Sequence, residues 1–205
     1  MNKSNEINKL ILYSIAFLSG FALMGYEILG VRALSPYYGS SVYVWGAIIS
    51  VFLAGLSIGY IKGGQIADKI KDLNILRRIF LIPVLIVTTF PVYGNRICKF
   101  IYSFELDSRT GALLLSIILF LVPCIFIGMA VPILVKILAA QSHKIGSAAG
   151  NVYALSTIGS IAGTLFTSFF MINSVSVSNG FMVMGLLLIA CWFLCLVFQR
   201  VNTKK

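Results

Sequence analysis

The sequence predicts an all-α, polytopic membrane protein with about six transmembrane helices, and three observations predict it. First, 59% of residues are hydrophobic and only 11% charged, with a mean hydropathy of +0.98. A soluble domain is roughly half apolar and a quarter charged, and has no interior large enough to hide this much apolar surface. Second, the apolar residues form separate runs, several near the roughly 20 residues that a helix rising about 1.5 Å per residue needs to cross a bilayer core about 30 Å thick. Third, the basic residues fall between these runs. The formal charge of +10 therefore reads as membrane topology. Nucleic-acid binding would need bases clustered on a solvated face with stacking aromatics.

The runs predict helices at about 10–34, 42–61, 77–93, 111–138, 150–172 and 180–199, in one transmembrane domain covering 1–205. The first follows a polar leader with Lys3 and Lys9. It is longer than a signal-peptide core and lacks a small-residue cleavage site, so it is expected to remain as an anchor. The third is short and carries Pro83 and Pro91; it extends back through Arg77 and Arg78, whose long side chains reach the interface. The longest outer connection, Gly94 to Thr110, contains Ile97 to Phe104, which reads either as an amphipathic turn on the membrane surface or as an ordered loop.

Orientation follows from the excess of Lys and Arg in cytoplasmic loops. With the N-terminus inside, twelve of the sixteen basic residues are cytoplasmic: Lys3, Lys9, Lys62, Lys69, Lys71, Arg77, Arg78, Lys136, Lys144, Arg200, Lys204 and Lys205. Arg32, Arg96, Lys99 and Arg109 fall outside. Both termini are then cytoplasmic in a bacterial or archaeal inner membrane. Tyr37, Tyr38, Tyr43 and Trp45 fall at the outer interface, where amphipathic rings concentrate.

Within the runs, Gly55, Gly59 and Gly63 share one face of the second helix, the small-residue spacing that lets helix backbones approach closely. The fifth run carries Gly146, Gly150 and Ala154, then Gly159 and Gly163. Helices two and five cross in opposite directions, as corresponding members of two inverted three-helix repeats would. Glu27 stands apart as an ionisable group inside a span, expected to face the bundle interior and find a polar partner. Arg32 is five positions on, about 140° round the axis, and is poorly placed to pair with it on an unbroken helix. The partner comes from another helix, or the helix unwinds near Gly30. Lys136 and His143 carry no expected chemistry. Cys98, Cys124, Cys191 and Cys195 lack metal-ligand spacing and read as small core residues. No catalytic set, metal cluster or phosphate-cradling loop is apparent, and no cofactor is expected.

Four segments together resemble the membrane region of the spermidine-synthase-like family, also described as fused major facilitator and spermidine synthase proteins. They are Tyr26-Glu27-Ile28-Leu29-Gly30-Val31-Arg32 continuing through Ser35-Pro36 to Trp45; Gly55 through Gly59 to Gly63-Gly64-Gln65-Ile66-Ala67-Asp68-Lys69; Gly128-Met129-Ala130-Val131-Pro132; and Gly150-Asn151-Val152-Tyr153-Ala154 on to Gly159 and Gly163. Residues 64–69 are also similar to the cytoplasmic loop between helices two and three of major facilitator transporters. The resemblance implies half of a major facilitator fold, a capping and interhelical ion-pair role for Asp68 beside Gly64 and Lys69, and a ligand or coupling site among Glu27, Arg32, Asn151 and Tyr153. Ile70-Lys71-Asp72 departs from the transporter pattern, and Ser156 stands where the family pattern usually has Asn.

Larger family members carry a cytoplasmic aminopropyltransferase-like domain, and nothing in this sequence supplies its glycine-rich strand-turn-helix. The expected function is a membrane module serving or anchoring a separately encoded spermidine-synthase-like partner, without catalytic activity of its own, handling polyamine or S-adenosylmethionine-type ligands. The alternative is a small half-facilitator transporter acting as a homodimer; a purely structural membrane protein is a third reading. The expected surroundings are the lipid bilayer, without nucleic acid.

Overall fold

The computed structural model describes residues 3–69, 74–142 and 144–203, and six long helices cross it. These are α1 (Lys3–Tyr38), α2 (Val42–Lys69), α3 (Asn74–Tyr102), α4 (108–142), α5 (145–174) and α6 (Val177–Thr203). All six are long and apolar enough to cross a membrane, and the chain is a multi-pass membrane protein. Helices are what such a sequence must form, because backbone polar groups in hydrocarbon have to be satisfied within the segment. Lys71, Asp72, His143, Lys204 and Lys205 lie outside the described residues.

The helices overrun their apolar cores by a turn or more, since the flanking residues remain helical in the interface. The largest difference from expectation is at α3, which continues to Tyr102 instead of giving way to a connection at Gly94. Gly94, Cys98 and Ile101 are buried at helical spacing, so one stripe of the expected connection packs against the bundle. Pro83 and Pro91 sit inside this helix. The Thr88 and Thr89 hydroxyls donate to the Val84 and Leu85 carbonyls at 2.6 Å, and the Tyr93 hydroxyl to the Ile86 carbonyl at 3.0 Å, so these polar side chains are satisfied within the helix itself. Gly39, at φ 73, closes α1 in the left-handed conformation that favours glycine, its amide bonding the Ser35 carbonyl.

Two spans contain a π-turn, Ile117–Leu121 in α4 and Thr167–Met171 in α5. α4 is the most enclosed span, with 61% of its apolar window buried, and α5 the least, at 22%. The bundle thus has α4 near its middle and α5 on a face left to lipid or to another chain.

Packing is organised as two inverted halves. The most extensive pairings are α1 with α5, α2 with α4, and α3 with α6. A Cβ added at Gly59 would lie 2.5 Å from the Ile125 carbonyl oxygen, and one at Gly159 would lie 2.1 Å from that of Phe17. Gly63 and Gly163 repeat the approach against Met129 and Phe21, at 2.6 and 2.2 Å. In return Gly128 meets Leu56, and Gly20 meets Ser156. A constant offset carries each α2 residue to its α5 counterpart, and another carries the α1 residues to those of α4. Residue numbers rise together across both contacts, so both pairs are parallel, and α1–α3 and α4–α6 cross the bilayer in opposite senses.

The first half of the expected α5 row needs correcting. Gly146 and Gly150 face open space and Ala154 is exposed, whereas Ser156, Gly159 and Gly163 make the contact. Nine positions separate Gly150 from Gly159, which is half a turn at 3.6 residues per turn, so the two rows lie on opposite faces.

Candidate functional site

Tyr26 is fully buried at the centre of the bundle, its ring centroid 5.7, 5.2 and 5.4 Å from those of Phe52, Phe120 and Phe181. Its hydroxyl donates to the Leu119 carbonyl at 3.0 Å. Leu119 lies in the π-turn of α4, where the looser winding disturbs the regular ladder and leaves a carbonyl for a side chain to reach. The aromatic cluster and this bond fix the position of α1 against α4 next to Glu27.

Glu27 is half-buried, next in sequence to the fully buried Tyr26, which packs against Phe52 and Phe120. Cys124 of α4 packs under Gly55 of α2 and donates its thiol to the Phe52 carbonyl at 3.2 Å. Among the described residues Glu27 has no hydrogen-bond donor or basic side chain on its carboxyl group. α1 does not unwind at Gly30, which is helical and packs against the Phe120 ring. The expected polar partner from another helix is therefore not among the described side chains. A carboxylate at this depth is costly unless its charge is met. A proton or a cationic ligand can meet it.

Arg32 belongs to a different place. It lines a cavity of about 270 Å³ between the ends of α1 and α3 and the start of α6. Tyr37 and Asn95 close one side, the Tyr37 hydroxyl donating to the Asn95 side-chain oxygen. At the same end the Arg109 guanidinium lies 4.7 Å over the Tyr43 ring and bonds its hydroxyl at 3.0 Å. Asp107 caps α4, accepting from the Arg109 and Thr110 amides and from the Thr110 hydroxyl. The Thr110 hydroxyl foremost, helped by the two amides and by the Arg109 charge, holds the Asp107 carboxyl below its usual range against an opposing desolvation effect.

Asn151 and Tyr153 lie far along α5 from this end. Asn151 donates its amide to the Tyr13 hydroxyl of α1 at 3.3 Å, and the half-exposed Tyr153 ring stands edge-on to Tyr60 of α2 at 6.5 Å. The four residues grouped by resemblance thus occupy separate contacts, and only Glu27 is left with an unmet polar requirement inside the span.

At the α2 terminus Gly64 and Asp68 line a cleft of about 590 Å³ with Pro132 and Lys136 of α4. Lys136 Nζ stands 3.8 Å from Asp68 Oδ1, with both side chains largely exposed. Lys69 is exposed beside them. The interhelical ion pair implied for Asp68 is present, and its partner is the lysine to which sequence reasoning gave no role. Two such exposed charges contribute at most about 1 kcal/mol. Tyr26 and Asn95 were also missed: a buried tyrosine in an apolar run looks like core, and its π-turn acceptor has no sequence mark.

Comparisons of the chain with models of known families, with curated proteins and with solved structures return no match.

Proposed function

We propose that this chain is an integral inner-membrane module of the spermidine-synthase-like kind, with both termini cytoplasmic, which presents a cationic ligand such as a polyamine to a separately encoded soluble partner. The observation that carries the reading is Glu27, a half-buried carboxyl group inside a span, with no protein cation among the described residues to answer it. A positively charged amine supplies the charge that a carboxylate inside the span requires. The inner cleft, with Asp68 and Lys136 at its mouth, offers the partner a surface on the cytoplasmic side. The segments resembling the family add the expectation of an aminopropyltransferase-like partner.

The test is purified chain in liposomes with labelled putrescine and spermidine, wild type against Glu27→Gln, which keeps shape and hydrogen bonding. Binding in the wild type should fall about tenfold or more in the variant, the loss expected for removing a charge-assisted contact, while thermal stability is kept. Equal binding by the two proteins would remove the site. Spermidine formation should require an added soluble synthase-like protein, because the described residues form membrane-length helices, and holding a sulfonium donor beside an amine takes a folded domain of another kind.

A second reading, a half-facilitator transporter working as a dimer, is favoured by the inverted packing of α1–α3 and α4–α6 and by the exposed apolar face of α5, which includes Ile158, Ile161, Leu165 and Phe169. Polyamine uptake by the chain alone, with cross-linking between copies through α5, would favour it over the anchoring role.

A further inference from the structure

We propose that the outer cavity between α1, α3 and α6 binds an oxyanion, a phosphate or carboxylate group, through Arg32, Asn95 and Ser178. The lining supplies donors and no acid. The Arg32 guanidinium is exposed to the cavity, no lining residue is Asp or Glu, and among the described residues no carboxylate lies within ion-pair distance of it. Asn95 accepts the Tyr37 hydroxyl on its side-chain oxygen, which fixes the amide so that its NH2 group remains to donate. Ser178 lies in the first turn of α6, a helix of 27 residues. There the Ser176 hydroxyl takes the Asn179 amide at 3.3 Å, while the amides of Val177 and Ser178 have no intrahelical acceptor. Guanidinium, amide, hydroxyl and the positive end of a helix therefore meet in one space of about 270 Å³.

Phe90, Pro91, Pro36 and Val177 give the lining an apolar part. The cavity thus fits an anionic head with a short aliphatic body and rejects a polyamine, whose charge Arg32 opposes. This separates it from the Glu27 position, which lacks a cation where this one lacks an anion, and the proposal does not depend on the function assigned to Glu27. The same oxyanion chemistry is offered by an anionic lipid headgroup of the outer leaflet and by a small soluble anion.

Two arms tell the sources apart. In the first, the chain is released from nanodiscs of mixed phosphatidylglycerol and phosphatidylcholine and retained lipid is counted by native mass spectrometry. In the second, nanodiscs of phosphatidylcholine alone are titrated with inorganic phosphate or butyrate against chloride at matched ionic strength, and Tm is followed. A lipid source gives preferential retention of phosphatidylglycerol by the wild type; a soluble source gives a saturable rise in Tm. Arg32→Gln should weaken the responding arm about tenfold or more, and Arg32→Lys should keep part of it as a point charge. Asn95→Asp, which places a carboxylate in the cavity while leaving Arg32, should abolish it, so the proposal stays testable if Arg32→Gln does not fold. Wild type, Arg32→Gln and Asn95→Asp that behave alike in both arms would overturn it, as would equal stabilisation by chloride.

Discussion

Single glycines decide how closely the spans approach. A Cβ at Gly59 would enter the Ile125 carbonyl, so α2 and α4 must separate to admit one, whereas the Cβ position at Gly150 meets nothing within 4 Å. Gly59→Ala is therefore expected to destabilise by about 1–3 kcal/mol, as overpacking of a close-packed contact does. Gly150→Ala should be neutral or stabilise by up to about 1 kcal/mol through higher helix propensity. Unfolding in mixed micelles compares the two, and equal effects would contradict the packing described here. At this scale the sequence was informative where a residue type carries its own cost. Glycine spacing located the α2 contact, and a lone carboxylate in an apolar run located Glu27. It could not separate the two glycine rows on α5, because four-residue spacing marks a shared face without saying which face is covered. Nor could it move Arg32 away from Glu27 and toward Asn95 and Ser178, which are brought to it by helices distant in the sequence.

The helices themselves were legible in number and order because each is a run of apolar residues as long as the bilayer is thick. Their ends were not. α3 continues because tertiary burial of Cys98 and Ile101 extends a helix through residues that hydropathy alone assigns to a connection. The π-turns left no trace, since Ile117–Leu121 and Thr167–Met171 contain no proline or glycine that would mark a change of winding. The start of α4 is set by Asp107, and its lowered carboxyl pKa gives a pH dependence whose sign is fixed. A folded-state value below the unfolded one contributes stability above about pH 4, where an unfolded Asp is ionised, and that contribution is lost as pH falls through the folded value. Asp107→Asn keeps an oxygen acceptor for the cap but cannot titrate. Between pH 6 and pH 3 the wild-type Tm should therefore fall further than that of Asp107→Asn. Parallel curves would mean that the cap does not contribute through its charge.

For the molecule as a whole, the distribution of basic residues predicts that the α2 end is cytoplasmic and the α3–α4 connection is on the opposite side. Single cysteines at Lys69 and Ser108, both exposed, in a background without the native cysteines, should react with an impermeant thiol reagent from opposite faces of the membrane. Reaction of both from outside would sink the six-span topology. The inverted relation between the halves was expected from two glycine rows alone. Its full form, with Gly59 and Gly128 answering to Gly159 and Gly20, depends on which carbonyls lie beneath them.

That correspondence has a consequence for ancestry. A unit with an odd number of spans, joined in tandem to a copy of itself, places the copy upside down with no further change, whereas a two- or four-span unit would not. A three-helix precursor would thus acquire the present packing in one duplication. Its charge pattern could not survive the event unchanged, because a basic loop that was inside in the first copy is outside in the second. The basic residues crowded about the α2–α3 connection, Lys62, Lys69, Lys71, Arg77 and Arg78, with none at 173–180 about the α5–α6 connection, are what selection for a single orientation would leave behind. The glycine contacts, indifferent to which side of the membrane is which, could be kept in both copies.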